Sequence, residues 1–135
     1  MYTSNTVRLH IACAVAAAAL LSPNVTAQAA PRCVEGTFTL NPDGVTNVQG
    51  QTRGGQPCEI WFGRYAGLHE HNLSSNPSHG SVGFYQSALT RHYMLYSPRA
   101  GFTGRDYFQF GVIFTPMDGK RRHRAQIGVN MTVTP

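Results

Sequence analysis

From Cys33 onward, apolar residues recur with a period of two, the spacing of strands with one buried face, and not with the 3.6-residue period of a helix. Thr37-Phe38-Thr39-Leu40 alternates polar with apolar, and Asn41-Pro42-Asp43-Gly44 breaks the alternation as a turn would. Val45 to Gln49 reads as a second strand, and the Gly- and Gln-rich run from Gly50 to Pro57 reads as a loop. Cys58 to Tyr65, with the single Trp at position 61, reads as a buried strand. Gly67 to Gly80 is the longest stretch without a clear period, and it holds His69, His71 and His79. Beyond it, Ser81–Ser87, His92–Ser97, Asp106–Thr115 and Arg124–Thr134 are rich in aromatic and β-branched residues. Turn residues separate them at Pro98-Arg99-Ala100-Gly101 and Pro116-Met117-Asp118-Gly119. No amphipathic helical stripe interrupts the series. About seven short strands with this punctuation predict an all-β chain folded as an antiparallel β-sandwich. Its last two strands are expected to form a hairpin around Asp118-Gly119.

The first thirty residues follow other rules. Arg8 and His10 precede the apolar run from Ile11 to Leu21, and small residues then lead to Ala27-Gln28-Ala29. A basic start, a short apolar core and an A-x-A site make a secretory signal peptide, with cleavage expected after Ala29 and a mature domain over 30–135. The apolar run spans roughly 16 Å as a helix, about half of a ~30 Å hydrocarbon core, so no transmembrane segment is expected after cleavage. Removing the leader also removes Cys13. Cys33 and Cys58 then remain as a lone pair in an oxidising compartment and are expected to join. Their spacing is not the C-x-x-C of a redox thiol or zinc pair.

Composition narrows the class further. Seven Phe, six Tyr and one Trp are too many buriable rings for a disordered chain. The 13% of charged residues, 14 Gly and 8 Pro argue against a coiled coil or helical array. Eleven Lys and Arg against six Asp and Glu give a formal charge of +5, and the chain stays basic once Arg8 is cleaved away.

The most specific stretch is Tyr96-Ser97-Pro98-Arg99-Ala100-Gly101-Phe102-Thr103-Gly104-Arg105-Asp106-Tyr107-Phe108-Gln109-Phe110. It resembles the Y-x-P-x-x-G-F-x-G-x-D-x-F-x-Y signature of bacterial Ig-like, cadherin-like domains of secreted and surface proteins. His79-Gly80-Ser81-Val82 is similar to the strand opening that precedes that signature, and Val129 to Pro135 to the strand that ends such domains. The resemblance covers residues 79 to 135 and implies an Ig-like sandwich in the periplasm or outside the cell. In physical terms, Gly101 and Gly104 permit backbone angles that a Cβ opposes, Pro98 ends a strand, and Phe102, Phe108 and Phe110 are apolar anchors. Asp106 is expected to pin the corner by accepting hydrogen bonds from loop amides. Phe110 stands where the family often has Tyr, so no hydroxyl is available there. The acids are scattered singly, which argues against cadherin-type calcium bridges.

Two further groups carry candidate chemistry. His69-Glu70-His71 puts two imidazoles on one face of an extended segment, and with His79 or His92 they form a candidate copper or zinc site. Lys120-Arg121-Arg122-His123-Arg124 falls at the last hairpin, where a projecting cationic loop would attract an anionic envelope component. Nucleic acid is not an expected partner of an exported chain, and no cofactor is expected. No G-x-S-x-G, P-loop or dinucleotide fingerprint occurs. The expectation is therefore a non-enzymatic exported binding or structural module, acting on an envelope component or another protein. A periplasmic copper- or zinc-binding protein built on His69 and His71 is the alternative.

Overall fold

The computed structural model describes residues 29–87 and 91–135, so the predicted leader, at residues 1 to 28, lies outside the described residues. The described residues are all-β, with strands β1 (Gly44–Arg53), β2 (Cys58–Trp61), β3 (Gly67–Ser75), β4 (Gly80–Gln86), β5 (His92–Pro98), β6 (Gly104–Thr115) and β7 (His123–Thr134). They form a four-stranded sheet in the order β1-β7-β6-β3 and a three-stranded sheet in the order β2-β5-β4. No helix among the described residues is long and apolar enough to cross a membrane.

The period of two is what stacks the sheets face to face. Along β6, Asp106, Phe108, Phe110, Val112 and Phe114 alternate into the interior, and along β7 Ala125, Ile127, Val129, Met131 and Val133 do the same. Ile60, Met94 and Tyr96 face them from the three-stranded sheet. Phe62 lies 5.4 Å from Phe110 and Tyr96 lies 5.7 Å from Phe108, ring centre to ring centre, so aromatic pairs join the two layers.

The β6–β7 hairpin forms as expected, while three features depart from the sequence reading. Thr37 to Leu40 contributes only an isolated bridge from Phe38 to Phe62, and Leu40 plugs the core from an irregular segment. The run from Gly50 to Arg53, expected as part of a loop, is instead the end of β1. That strand pairs parallel with β7 from Gly44↔Ala125 to Arg53↔Thr134, so the sandwich is mixed rather than purely antiparallel. Gly50 sits close over the core there: a Cβ would come 2.5 Å from the Met131 sulfur, which would have to move aside. Lastly, much of the stretch without a period, Gly67 to Ser75, is the edge strand β3. It turns only Leu68, His71 and Leu73 toward the interior side, too few apolar positions to reveal a strand.

Cys33 and Cys58 form the expected disulfide, with Cα atoms 5.0 Å apart. The Cys33 backbone donates to Glu59 O at 2.8 Å and accepts from Gln51 N at 2.8 Å. It thus ties β2 of one sheet to β1 of the other beside the covalent link.

Candidate functional site

The signature residues are brought together as a structural corner. Asp106 is 6% exposed, and its carboxylate accepts four hydrogen bonds. Oδ1 takes Ser78 N at 2.9 Å and Tyr107 N at 3.0 Å, and Oδ2 takes His79 N at 3.0 Å and the Tyr96 hydroxyl at 3.0 Å. Every lone-pair direction of the carboxylate is used, which is how a buried charge is tolerated. Burial, and then the hydrogen bond to Asp106, push the Tyr96 phenol far above its ordinary value, so it stays a donor. His79 stacks on Phe102 at 4.2 Å, and its carbonyl accepts from Arg99 N at 2.7 Å, joining the strand opening to the signature loop. Gly101 and Gly104 have φ of 77° and 131°, the backbone freedom expected of them.

The three candidate metal ligands are placed apart. A register shift between Leu68 and Glu70 puts His69 in a bulge, so the alternation that would align it with His71 is broken. His69 Nε2 lies 2.8 Å from Thr115 Oγ1, His71 stacks on Phe84 at 4.1 Å, and His79 Nδ1 lies 2.9 Å from an Arg99 nitrogen. Among the described residues, no three His, Cys, Asp or Glu side chains converge into a group able to hold a metal ion.

The basic run occupies the connection between β6 and β7, with Lys120, Arg121 and Arg122 exposed and Arg124 just inside β7. Next to them, His123 Nδ1 lies 2.7 Å from Asp43 Oδ2, and Arg124 N donates to Asp43 Oδ1 at 3.3 Å. The hydrogen bond from His123, more than any other contact, holds the Asp43 carboxyl below the usual carboxylate range. Among the described residues no Lys or Arg nitrogen lies within 4.0 Å of a carboxylate oxygen, so the guanidiniums of Arg121 and Arg122 have no salt-bridge partner there.

The sequence pattern does not reveal that two distant cations share a depression with Met117 of this connection. Arg64, just after β2, and Arg91, just before β5, line a depression of about 550 Å³ with Thr37, Phe62, Tyr65, His92 and Met117. Met117 belongs to the basic connection and is 63% exposed. One end of the sandwich thus carries an amphipathic cup, with apolar side chains on its floor and cations around it. Tyr65 braces the floor: its hydroxyl accepts from His92 N at 3.0 Å and lies 2.7 Å from His92 Nδ1. Burial, and then the nearby His71, lower the His92 pKa and favour the neutral ring. That form lets Nδ1 accept the Tyr65 proton.

A second surface is equally hard to foresee. Trp61, Tyr93 and Tyr85 share one row on the outer face of the three-stranded sheet, stacked at 4.9 and 5.7 Å, and the Arg32 guanidinium lies 5.5 Å from the Trp61 ring centre. Rings this close and nearly parallel stand on the sheet face to face, as cross-strand pairs that stiffen a small sheet. The apolar run Tyr93-Met94-Leu95-Tyr96, with no polar partner in its alternation, is the available signal for it.

Compared with known proteins, the chain matches no family model and no curated protein.

Proposed function

We propose that this chain is an exported, non-enzymatic Ig-like binding module that engages anionic groups of the cell envelope, phosphate or carboxylate, at the basic end of its sandwich. The observation that carries the reading is the convergence of Arg64 and Arg91 on the cup closed by Met117 of the Lys120-Arg121-Arg122 connection. Cations with no carboxylate in salt-bridge contact leave much of their field for an outside ligand, and an apolar floor suits the carbon skeleton beneath an anionic headgroup. The periplasmic or extracellular setting is supported by the disulfide, which an oxidising compartment preserves. The Ig-like assignment is supported by two face-to-face sheets and by the corner that Tyr96, Asp106 and His79 build from the signature residues.

The test is sedimentation of the oxidised 30–135 protein with phosphatidylglycerol-containing vesicles, with pure phosphatidylcholine vesicles, and with lipopolysaccharide aggregates. A basic side chain near an anionic surface contributes about 1 kcal/mol, so removing two weakens binding roughly 30-fold. Arg121→Ala with Arg122→Ala, and separately Arg64→Ala with Arg91→Ala, are expected to show that loss. Equal binding to the neutral vesicles, or indifference to both double substitutions, contradicts the reading.

A further inference from the structure

The outer face of the four-stranded sheet is unlike an ordinary solvated strand surface. Its central rows carry Asn47 and Gln49 from β1, Gln126 and Asn130 from β7, and Gln109 from β6. Asn is a poor strand former, and glycine inside a strand costs roughly 0.5–1 kcal/mol, yet Gly111 and Gly128 also sit in these rows. Local preferences given up in one place mark a site where something other than stability is served.

The glycines make room for side chains lying flat on the sheet. A Cβ at Gly128 would come 3.0 Å from the Tyr107 hydroxyl, 3.4 Å from its ring and 2.5 Å from Asn47 Oδ1. A Cβ at Gly111 would come 2.8 Å from Asn72 Oδ1. Tyr107 therefore lies over Gly128 with 42% of its surface exposed. Its hydroxyl points to Gln109 Oε1, and Gln109 Nε2 in turn donates to Gln126 Oε1, so the amides around it are oriented. A polar depression of about 710 Å³ opens beside the ring, lined by Gln49, Asn130 and Thr132 on the sheet and by His79, Arg105 and Asp106 at its end. Charge is kept to the margins: Arg105 stands at one end of these rows, and Glu70 and Arg124 at the other.

We infer that this face is a binding site for an uncharged polysaccharide, with one pyranose ring stacked on Tyr107 and neighbouring hydroxyls held by the flanking amides. The face of a phenol ring is electron-rich and meets the C–H face of a pyranose, whose hydrogens carry partial positive charge. Each amide offers both a donor and an acceptor, the pairing that vicinal sugar hydroxyls require, and needs no counter-charge. The amides on the central rows carry no charge, so they give a polyanion none of the attraction that the cup offers. The site is separate from that cup and stands or falls independently of it.

The test is affinity electrophoresis of the oxidised 30–135 protein through gels containing hydroxyethylcellulose, mixed-linkage β-glucan, galactomannan or dextran, at low salt and at a salt concentration of about 0.5 M, where charge contacts are screened. Retardation by at least one of these neutral polymers is expected, unchanged by salt. Tyr107→Ala is expected to weaken it at least tenfold, Tyr107→Phe to keep most of it, and Gln49→Ala with Asn130→Ala to weaken it several-fold with an unaltered unfolding midpoint. Arg121→Ala with Arg122→Ala should leave it as it was. No retardation by any of the four polymers overturns the inference, as does retardation that survives both Tyr107→Ala and the amide double substitution, or that disappears in salt.

Discussion

Replacing Asp106 by Asn changes one oxygen to an amide nitrogen within the same volume and removes the charge. Whichever way the amide turns, one pair of donors, Ser78 N with Tyr107 N or His79 N with the Tyr96 hydroxyl, faces an NH2 group. The Tyr96 hydroxyl can rotate and accept from that NH2, but a backbone N–H cannot. Hydrogen bonds to a charged acceptor contribute about 1.5–3 kcal/mol each, so the expected loss is about 3 kcal/mol. For a domain of this size that lowers the unfolding midpoint by roughly 12 °C. Tyr96→Phe removes only one of the four donors, leaves the carboxylate three, and is expected to cost about 1.5 kcal/mol. The two changes share a bond, so Tyr96→Phe in the Asp106→Asn background should cost less than about 0.5 kcal/mol more. Thermal unfolding of the oxidised 30–135 protein at neutral pH, followed by circular dichroism, reads all four corners of this cycle. An Asp106→Asn midpoint within a few degrees of wild type, or strict additivity, would refute the idea that this carboxylate holds the β3–β4 connection to the signature corner.

Two more outcomes are expected. Replacing Cys33 and Cys58 together by Ala opens a loop whose ends are 25 residues apart, and the chain-entropy model gives a loss of about 3 kcal/mol, read as a lower denaturant midpoint without change of fold. The pKa of His92 is lowered on folding, so the stability it contributes is present above its unfolded value of about 6.5 and is lost as the pH falls through the lowered folded value. Urea midpoints at about pH 7.5 and about pH 5 should therefore differ less in His92→Gln than in wild type, and an equal difference in the two would remove His92 as the cause.

What can be read from the residues follows the range of the interactions that decide them. β6 and β7 are legible because Phe108, Phe110, Val112 and Phe114 alternate without a break and the turn between the two strands is local. The disulfide is legible because Cys33 and Cys58 are the two cysteines outside the expected leader. The extension of β1 to Arg53 is not, since Gly50-Gln51-Thr52 carries loop-like residues and becomes a strand only by pairing with the distant Met131-Thr132-Val133. β3 is hidden for a related reason: an edge strand with a polar outer face has little apolar alternation. Among site residues, the Lys120-Arg121-Arg122 cluster is visible as a run, whereas Arg64 and Arg91 reach the cup only through the end of β2 and the start of β5. The histidine alignment fails on a single bulge, which no spacing rule foresees.

The most direct measurement on the central claim is the dissociation constant of the oxidised 30–135 protein from phosphatidylglycerol-containing vesicles across a salt series, with the Arg64→Ala, Arg91→Ala variant alongside. Unscreened cations at an exposed cup predict saturable binding that weakens steeply as the Debye length shrinks from about 10 Å at 0.1 M to about 3 Å at 1 M, with a shallower dependence in the variant. Binding that ignores salt, or a variant whose salt dependence matches wild type, would contradict the assignment of anionic-ligand recognition to this end of the sandwich.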